Sequence, residues 1–304
     1  MIYYLDCDTG VDDALALALL LATPDVDLAG VGTVSGNTAA GQAARNTLDL
    51  LALAGRDDIP VAVGAHHPLD GSFAGGATQV HGGNGVGGVA LPTAASEPIA
   101  RTAAELLVDL ARAHPGHLRV IATGPLTNLA LALRLEPALA GLVRDVTAMG
   151  GAVRVPGNIT GRAEANIAND PAAASAVFAA AWPVTLVPLD VTMRHRFDSA
   201  DQQALRGGTP LTAALADMLT GYFDFYESGL GERRVPLHDP LAAGIATCEL
   251  EPADAPLLGL RVEPDGQLLE DQDVSTRTRT VLSLRTEAAP IIRERLLAGG
   301  RAGS

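Results

Sequence analysis

Asp6, Asp8, Asp12 and Asp13 crowd into "DCDTGVDD", after which the chain turns apolar through "ALALALLLA". Such a group offers oxygen donors. Two carboxylates about 4 Å apart, at an effective dielectric near 20, repel by roughly 4 kcal/mol. Placement of Asp12 and Asp13 in the first turn of a helix returns only about 0.3–1 kcal/mol each. Converging carboxylates must therefore take up protons or share a cation. Oxygen-only donors suit a hard ion, magnesium or calcium, and calcium is the expected one because it tolerates irregular geometry and backbone carbonyls. A solvated acidic loop is the plain alternative. It fits poorly, because the helix that follows is apolar on every face and must be buried, so its N-terminus opens on a crevice. Asp6 and Asp8, two apart, are expected on the same side of an extended segment, with Cys7 opposite as a core thiol.

The elements that must hold these residues alternate along the chain. Strands are predicted over Ile2–Leu5, Asp27–Val34, Val61–Val63, Leu118–Ala122, Val143–Met149 and Val184–Pro188. Helices are predicted over Asp13–Ala22, Thr38–Ala54, Glu97–Ala113, Asn128–Arg134 and Pro171–Ala180. This is the pattern of an α/β fold, an open and mostly parallel central sheet flanked by helices. No linker divides it, so residues 1–304 are expected to form one domain. Gly71–Gly88 reads as a glycine-rich loop without periodicity, and Leu257–Leu284 as antiparallel ribbon before a short helix over Ala288–Leu297. Polar residues and glycines follow each strand: "DCD", "SGN", "ATGPLTN", "MGG" and "LD". In open α/β sheets ligands bind beyond the carboxyl ends of the strands, which predicts one shared crevice there.

Composition removes several classes of function. The formal net charge is −14, which argues against nucleic acid and anionic membranes as partners. All 21 basic residues are arginine. Without lysine there is no phosphate-binding loop of the lysine type and no Schiff base. Two cysteines, Cys7 and Cys248, build no disulfide framework. The longest apolar run, Ala14–Ala22, is too short to span a bilayer, and with no basic leader or signal-type segment in view the expected location is the cytoplasm.

"DCDTGVDDALAL" resembles the Asp-x-Asp-x-Gly-x-Asp-Asp-Ala signature of the inosine–uridine-preferring nucleoside hydrolases. "VSGNT", "ATGPLTNLA", "MGG", "GNITGRAEANIANDP" and "LHDPLA" follow in that family's order and spacing, from Asp6 to Ala242. The resemblance implies calcium held by Asp8, Asp13, Asp239 and the backbone carbonyl of Thr123, with a ribonucleoside as substrate and a homodimer or homotetramer as the assembly. It implies Asp8 as general base on the attacking water, and a transition state of oxocarbenium character at the anomeric carbon. Asp12, Asn37, Asn158, Glu164 and Asn166 would hold the ribose hydroxyls, with Met149 beneath the ring. Glu164 and Asn166, two apart, are expected on one extended segment. His238 would stand near the leaving base as a catalytic residue that protonates it on departure, a role suited to a histidine near its normal pKa; otherwise Asp239-Pro240 is an ordinary helix start with Asp239 as its cap. His81 matches a family histidine in "VHGGNGVGG", on a loop able to close over the pocket; as a lone histidine it is a surface side chain. Tyr222 and Tyr226, four apart on a helix, read as a packing pair, although tyrosines at similar positions of relatives approach the base or the sugar.

The chain departs from the family's pattern at Thr9, Cys7, Asn84 and Ala165. Ala165 stands where an aromatic residue is usual, which opens one wall of the sugar pocket. His81 with His238, and Trp182 as the only tryptophan, resemble the pyrimidine-preferring or non-specific branch. Two rival readings of the acidic cluster are a magnesium-dependent phosphatase, disfavoured by the absent lysine, and a calcium-dependent nucleoside- or ribose-binding protein without catalysis. Asp170-Pro171 reads as a helix cap, and Asp190 as a residue that orients a neighbour or joins the crevice.

Overall fold

The computed structural model describes residues 1–299; the last five residues of the expected domain, 300–304, lie outside the described residues. Six strands, β1 (Ile2–Cys7), β2 (Asp27–Thr33), β3 (Val61–Val63), β4 (Leu118–Ala122), β5 (Val143–Met149) and β6 (Val184–Val187), pair in parallel in the order β3-β2-β1-β4-β5-β6. Helix α1 (Val11–Ala22) joins β1 to β2, and α2 (Ala40–Leu53) joins β2 to β3. The order is that of a doubly wound sheet, and it reverses direction between β1 and β4, where such folds open a crevice.

The alternation of β1 explains the two faces. Tyr3, Leu5 and Cys7 enter one apolar core, with α1 and the helices Pro210–Leu230 and His238–Ala246. Tyr4 enters the other, with the helices Ala103–Ala113, Thr127–Leu135 and Pro171–Ala179. The helices thus cover both sides of the sheet. Every residue of α1 from Val11 to Leu20 is buried, as its all-apolar surface requires. Cys7 is a buried free thiol beside Thr9, as expected of a core residue.

Several elements differ from the sequence reading. The helix predicted from Glu97 begins at Ala103, because Thr102 accepts from the Glu105 N–H while the Glu105 carboxylate accepts from the Thr102 N–H. The glycine-rich loop contains a helical turn, Thr78–His81, which aims His81 inward. The C-terminal ribbon is only partly antiparallel: Leu257–Leu258 pairs antiparallel with Thr278–Thr280, which itself extends the central sheet parallel to β6. A separate hairpin, Leu260–Val262 with Leu268–Glu270, lies beyond it. No described helix is long and apolar enough to cross a membrane.

Candidate active site

The turns that leave β1, β2, β4 and β5 meet beside the N-terminus of α1 and the helix His238–Ala246. They enclose a cavity of about 350 Å³. Its wall includes Asp12, Asn37, His81, Thr123, Met149, Asn158, Glu164, Asn166, Tyr222, Tyr226, His238 and Asp239. Asp239 is far from Asp12 and Asp13 in the chain and is brought to them by the packing of His238–Ala246 along α1.

At the floor, Asp12, Asp13 and Asp239 each bring a carboxylate oxygen within 4.8 Å of the others. Asp8 lies behind them. Its Oδ2 accepts from the Asn37 N–H at 2.6 Å, while its Oδ1 is buried without a partner, as is Asp12 Oδ1. Asp13 accepts from the Gly10 N–H (2.8 Å), the Thr123 hydroxyl (2.7 Å) and the Asn37 amide (3.1 Å). Burial, and then Asp13 and Asp12, push Asp8 well above the usual carboxylate range. Burial, and then Asp12, Asp13, Asp8 and Glu164, do the same to Asp239. Burial carries Asp12 up to about 6. Four buried carboxyls with no arginine paired to them among the described residues, two of them with bare oxygens, are a donor set that fits a hard divalent cation.

Asp6 does not join this group. β1 runs to Cys7, so Asp6 falls on Tyr4's side of the sheet while Asp8 has already left the strand. The Asp6 carboxylate accepts from the Tyr4 hydroxyl at 2.9 Å and from the Asn128 amide at 3.1 Å, and burial raises it to about 7.

One side wall is built on the segment Asn158–Asn169. Glu164 and Asn166 are not on an extended strand: Glu164 caps the helix Ala165–Asn169, and Asn166 sits in its first turn. The Glu164 carboxylate accepts from the N–H groups of Gly151 (2.7 Å), Asn166 (2.9 Å) and Ile167 (3.2 Å). The Asn166 amide donates to the Thr123 carbonyl at 2.7 Å and lies 3.5 Å from the Met149 sulfur. The Thr123 carbonyl therefore has a protein donor in this structure. Asn158 is exposed at the rim and accepts from the Ala165 N–H.

The opposite wall is aromatic. Tyr222 donates to Asp12 Oδ2 at 3.2 Å, and Tyr226 lies 3.0 Å from His238 Nε2. These tyrosines are more than a packing pair; both hydroxyls face the polar groups of the cavity. His238 Nδ1 meets the Thr192 hydroxyl at 2.8 Å, and burial pushes His238 down to about 3. Asp239 does not cap its helix, which starts at His238 with Leu237 in the cap position. His81 Nδ1 accepts from the Val11 N–H at 3.1 Å and lies 3.9 Å from Asp12; burial pushes it down to about 4. It is a buried residue, not a surface one.

All the sequence-predicted site residues line this cavity except Asp8, which lies behind the floor carboxylates, and Asp13, whose carboxylate stands among them. Sequence reasoning missed the apolar rim of Ile159, Met193, Phe225 and Leu230, and Gln79 beside His81; no residue type or spacing marks them. Asp190 is settled by its partners: it accepts from the Val153 and Arg154 N–H groups and anchors the loop after β5. Asp170 caps Pro171–Ala179 and also receives the Thr127 hydroxyl and the Leu69 N–H. Asn84 organises its own loop, accepting from Val86 and Gly88. Trp182 is buried, with its indole N–H on the Val177 carbonyl, away from the cavity.

The family described as inosine-uridine preferring nucleoside hydrolase matches residues 3–293. Uridine nucleosidase 1 of Arabidopsis thaliana is 37% identical over 239 residues, 78% of this chain and 71% of the relative. The pyrimidine-specific ribonucleoside hydrolase RihA of Enterobacter sp. (strain 638) is 41% identical over 238 residues, 78% of this chain and 75% of the relative. Among solved structures, a purine-preferring ribonucleoside hydrolase from Gardnerella vaginalis superposes with a TM-score of 0.94 at 28% identity, covering 100% of both chains.

Proposed function

Since the chain belongs to the inosine–uridine-preferring nucleoside hydrolases and is thereby a ribonucleoside N-glycosidase, we propose that it acts on pyrimidine ribonucleosides with calcium in its aspartate pocket. The observation that carries the metal reading is the floor of the cavity, where Asp12, Asp13 and Asp239 converge within 4.8 Å and Asp8 and Asp12 each keep a bare buried oxygen. Asp8, Asp13, Asp239 and the Thr123 carbonyl are the positions expected to hold the ion. Asp12 belongs to the convergent trio by geometry and is the adaptable member, shared between the ion and a ribose hydroxyl. For Thr123 to take part, the Asn166 amide turns from its carbonyl to the sugar. When bound, a divalent cation offsets the carboxylate charge and makes a neighbouring water more acidic.

The chain's own groups account for the rest. Asp8, with Oδ1 free and Oδ2 fixed by Asn37, accepts the proton of the attacking water as general base. Asn37, Asp12, Asn158, Glu164 and Asn166 hold the ribose hydroxyls, with Met149 under the ring. The carboxylates that surround the sugar favour the positive charge that develops at the anomeric carbon. Water adds to that carbon as the bond to the base nitrogen breaks; one water proton passes to Asp8, and the base leaves with the bonding electron pair and takes up a proton from solvent. His238 faces Tyr226 on that side and is the group placed to assist the departure, with His81 and Tyr222 closing the wall. Buried as it is, His238 rests neutral and works with the Tyr226 hydroxyl as its hydrogen-bond partner rather than as a standing cation.

The names of the relatives support the pyrimidine preference, as does a rim without tryptophan to stack a purine. Steady-state kinetics on uridine, cytidine and inosine tests it: kcat/KM for uridine is expected to exceed that for inosine, and a reversed order refutes the preference while leaving the hydrolase itself in place.

A further inference from the structure

The turn Thr123–Asn128 carries the Thr123 carbonyl into the cavity, and one residue of β1 holds that turn at both ends. At its start the Thr123 N–H donates to the Asp6 backbone carbonyl at 2.8 Å. At its end the Asn128 amide nitrogen donates to both Asp6 carboxylate oxygens, at 3.2 and 3.1 Å. Asp6 and Asn128 are both fully buried. The orientation of the Asn128 amide is dictated by its surroundings: its oxygen accepts from the Ala65 N–H at 2.8 Å, and its nitrogen faces the Thr33 carbonyl at 2.9 Å as well as Asp6. It cannot turn over without opposing like groups. Through these bonds the ends of β1, β2, β3 and β4 are tied in one knot beneath the cavity. Space there is closed: a Cβ on Gly64 would come within 2.5 Å of the Asn128 amide, and one on Gly124 within 3.0 Å of Asp8 Oδ1.

From this we infer that Asp6 is a positioning residue for the active site, acting through Asn128 and the Thr123–Asn128 turn rather than on the substrate. Its backbone carbonyl sets where the turn begins and its carboxylate sets where it ends, so the direction of the Thr123 carbonyl and the floor under Asp8 follow from Asp6. The inference rests on the calcium reading above. Tyr4, whose hydroxyl lies 2.9 Å from Asp6 Oδ2 and 3.0 Å from the Ala103 carbonyl, holds the carboxylate from the far side.

Asp6→Asn keeps the shape but sets an amide N–H against either the Asn128 amide or the Tyr4 hydroxyl. Calcium is titrated calorimetrically into the chelator-stripped full chain, and kcat and KM for uridine are measured at saturating calcium, all well below the unfolding midpoint. Groups that orient ligands from behind are typically worth 10–100-fold in metal affinity, so a rise in calcium Kd of about 10-fold is expected, with KM raised and kcat at saturation reduced less. A residue that only stabilises the fold lowers the unfolding midpoint and leaves Kd and KM unchanged; that result in a folded Asp6→Asn variant overturns the inference. Should Asp6→Asn fail to fold, Asn128→Ser frees the far end of the turn while keeping the backbone clamp. It is then expected to raise the calcium Kd, and an unchanged Kd overturns the inference equally. If the unaltered protein binds no calcium, the calcium reading itself falls, and it does so before any variant is compared.

Discussion

Substituting Asp239 by Asn separates strain in the empty floor from its use in the loaded one, because the two states are predicted to respond with opposite sign. Asp12, Asp13 and Asp239 place oxygens within 4.8 Å of one another. Two unit charges at that separation, at an effective dielectric near 20, repel by about 3.5 kcal/mol, so the two pairs that involve Asp239 add up to roughly 7 kcal/mol if all three are ionised. Protonation of one member relieves much of this, which agrees with the upward push on Asp239 from burial first and then from Asp12, Asp13 and Asp8. A net gain of about 1–3 kcal/mol is therefore expected for Asp239→Asn in chelator, a rise of several degrees at about 2 °C per kcal/mol for a chain of this size. In excess calcium the order reverses. The variant has lost a charged ligand, binds the ion more weakly, and gains less of the stabilisation that a ligand of the folded state confers. Paired thermal melts of both proteins, in chelator and in calcium, read this directly. An Asp239→Asn variant less stable than its parent in chelator, or equally stabilised by calcium, refutes the reasoning.

Asp8→Asn is expected to bind calcium more weakly and, at saturating calcium, to lower kcat by about 10²–10⁴-fold while ribose binding largely survives, as measured by initial rates and calorimetry; full activity removes Asp8 as the base. Tyr226→Phe deletes the hydroxyl 3.0 Å from His238 Nε2 and is expected to reduce kcat/KM for uridine by about tenfold, the equivalent of roughly 1.4 kcal/mol for one lost hydrogen bond, with little change in melting midpoint. Gly36→Ala would drive a Cβ to 2.0 Å from Asp8 Oδ2; displacement of the base is expected to abolish turnover in a chain that still folds, checked by rates alongside circular dichroism.

Much of the positioning frame was legible because its signals are local. The run "ALALALLLA" admits only a buried helix, and a buried helix with aspartates at its N-terminus must face a cavity; α1 does both. Strand ends rich in glycine and polar residues marked the carboxyl edge of the sheet, and the site lies there. What escaped was set by tertiary geometry. Side-chain alternation placed Asp6 with Asp8, but β1 ends between them, so Asp6 turns to Tyr4 and Asn128 instead. The spacing of Glu164 and Asn166 fits a strand as well as a helix cap, and only the N–H groups of Gly151 and Ile167 decide for the cap. Tyr222 and Tyr226 have helical spacing whether they pack or donate. Thr278–Thr280 looks like ribbon until β6 offers it a parallel edge. The rim residues Ile159 and Leu230 are apolar and exposed, a pairing no sequence pattern announces.

The central claim is that a divalent ion in the buried carboxylate floor enables cleavage of a nucleoside's bond to its base. It is tested most directly by incubating the full chain with uridine in calcium, in excess chelator, and in chelator followed by restored calcium, and quantifying uracil and free ribose. The account predicts equal release of both products in calcium, loss in chelator and recovery on return of the ion. Undiminished release in chelator, or no release under any of the three conditions, contradicts it.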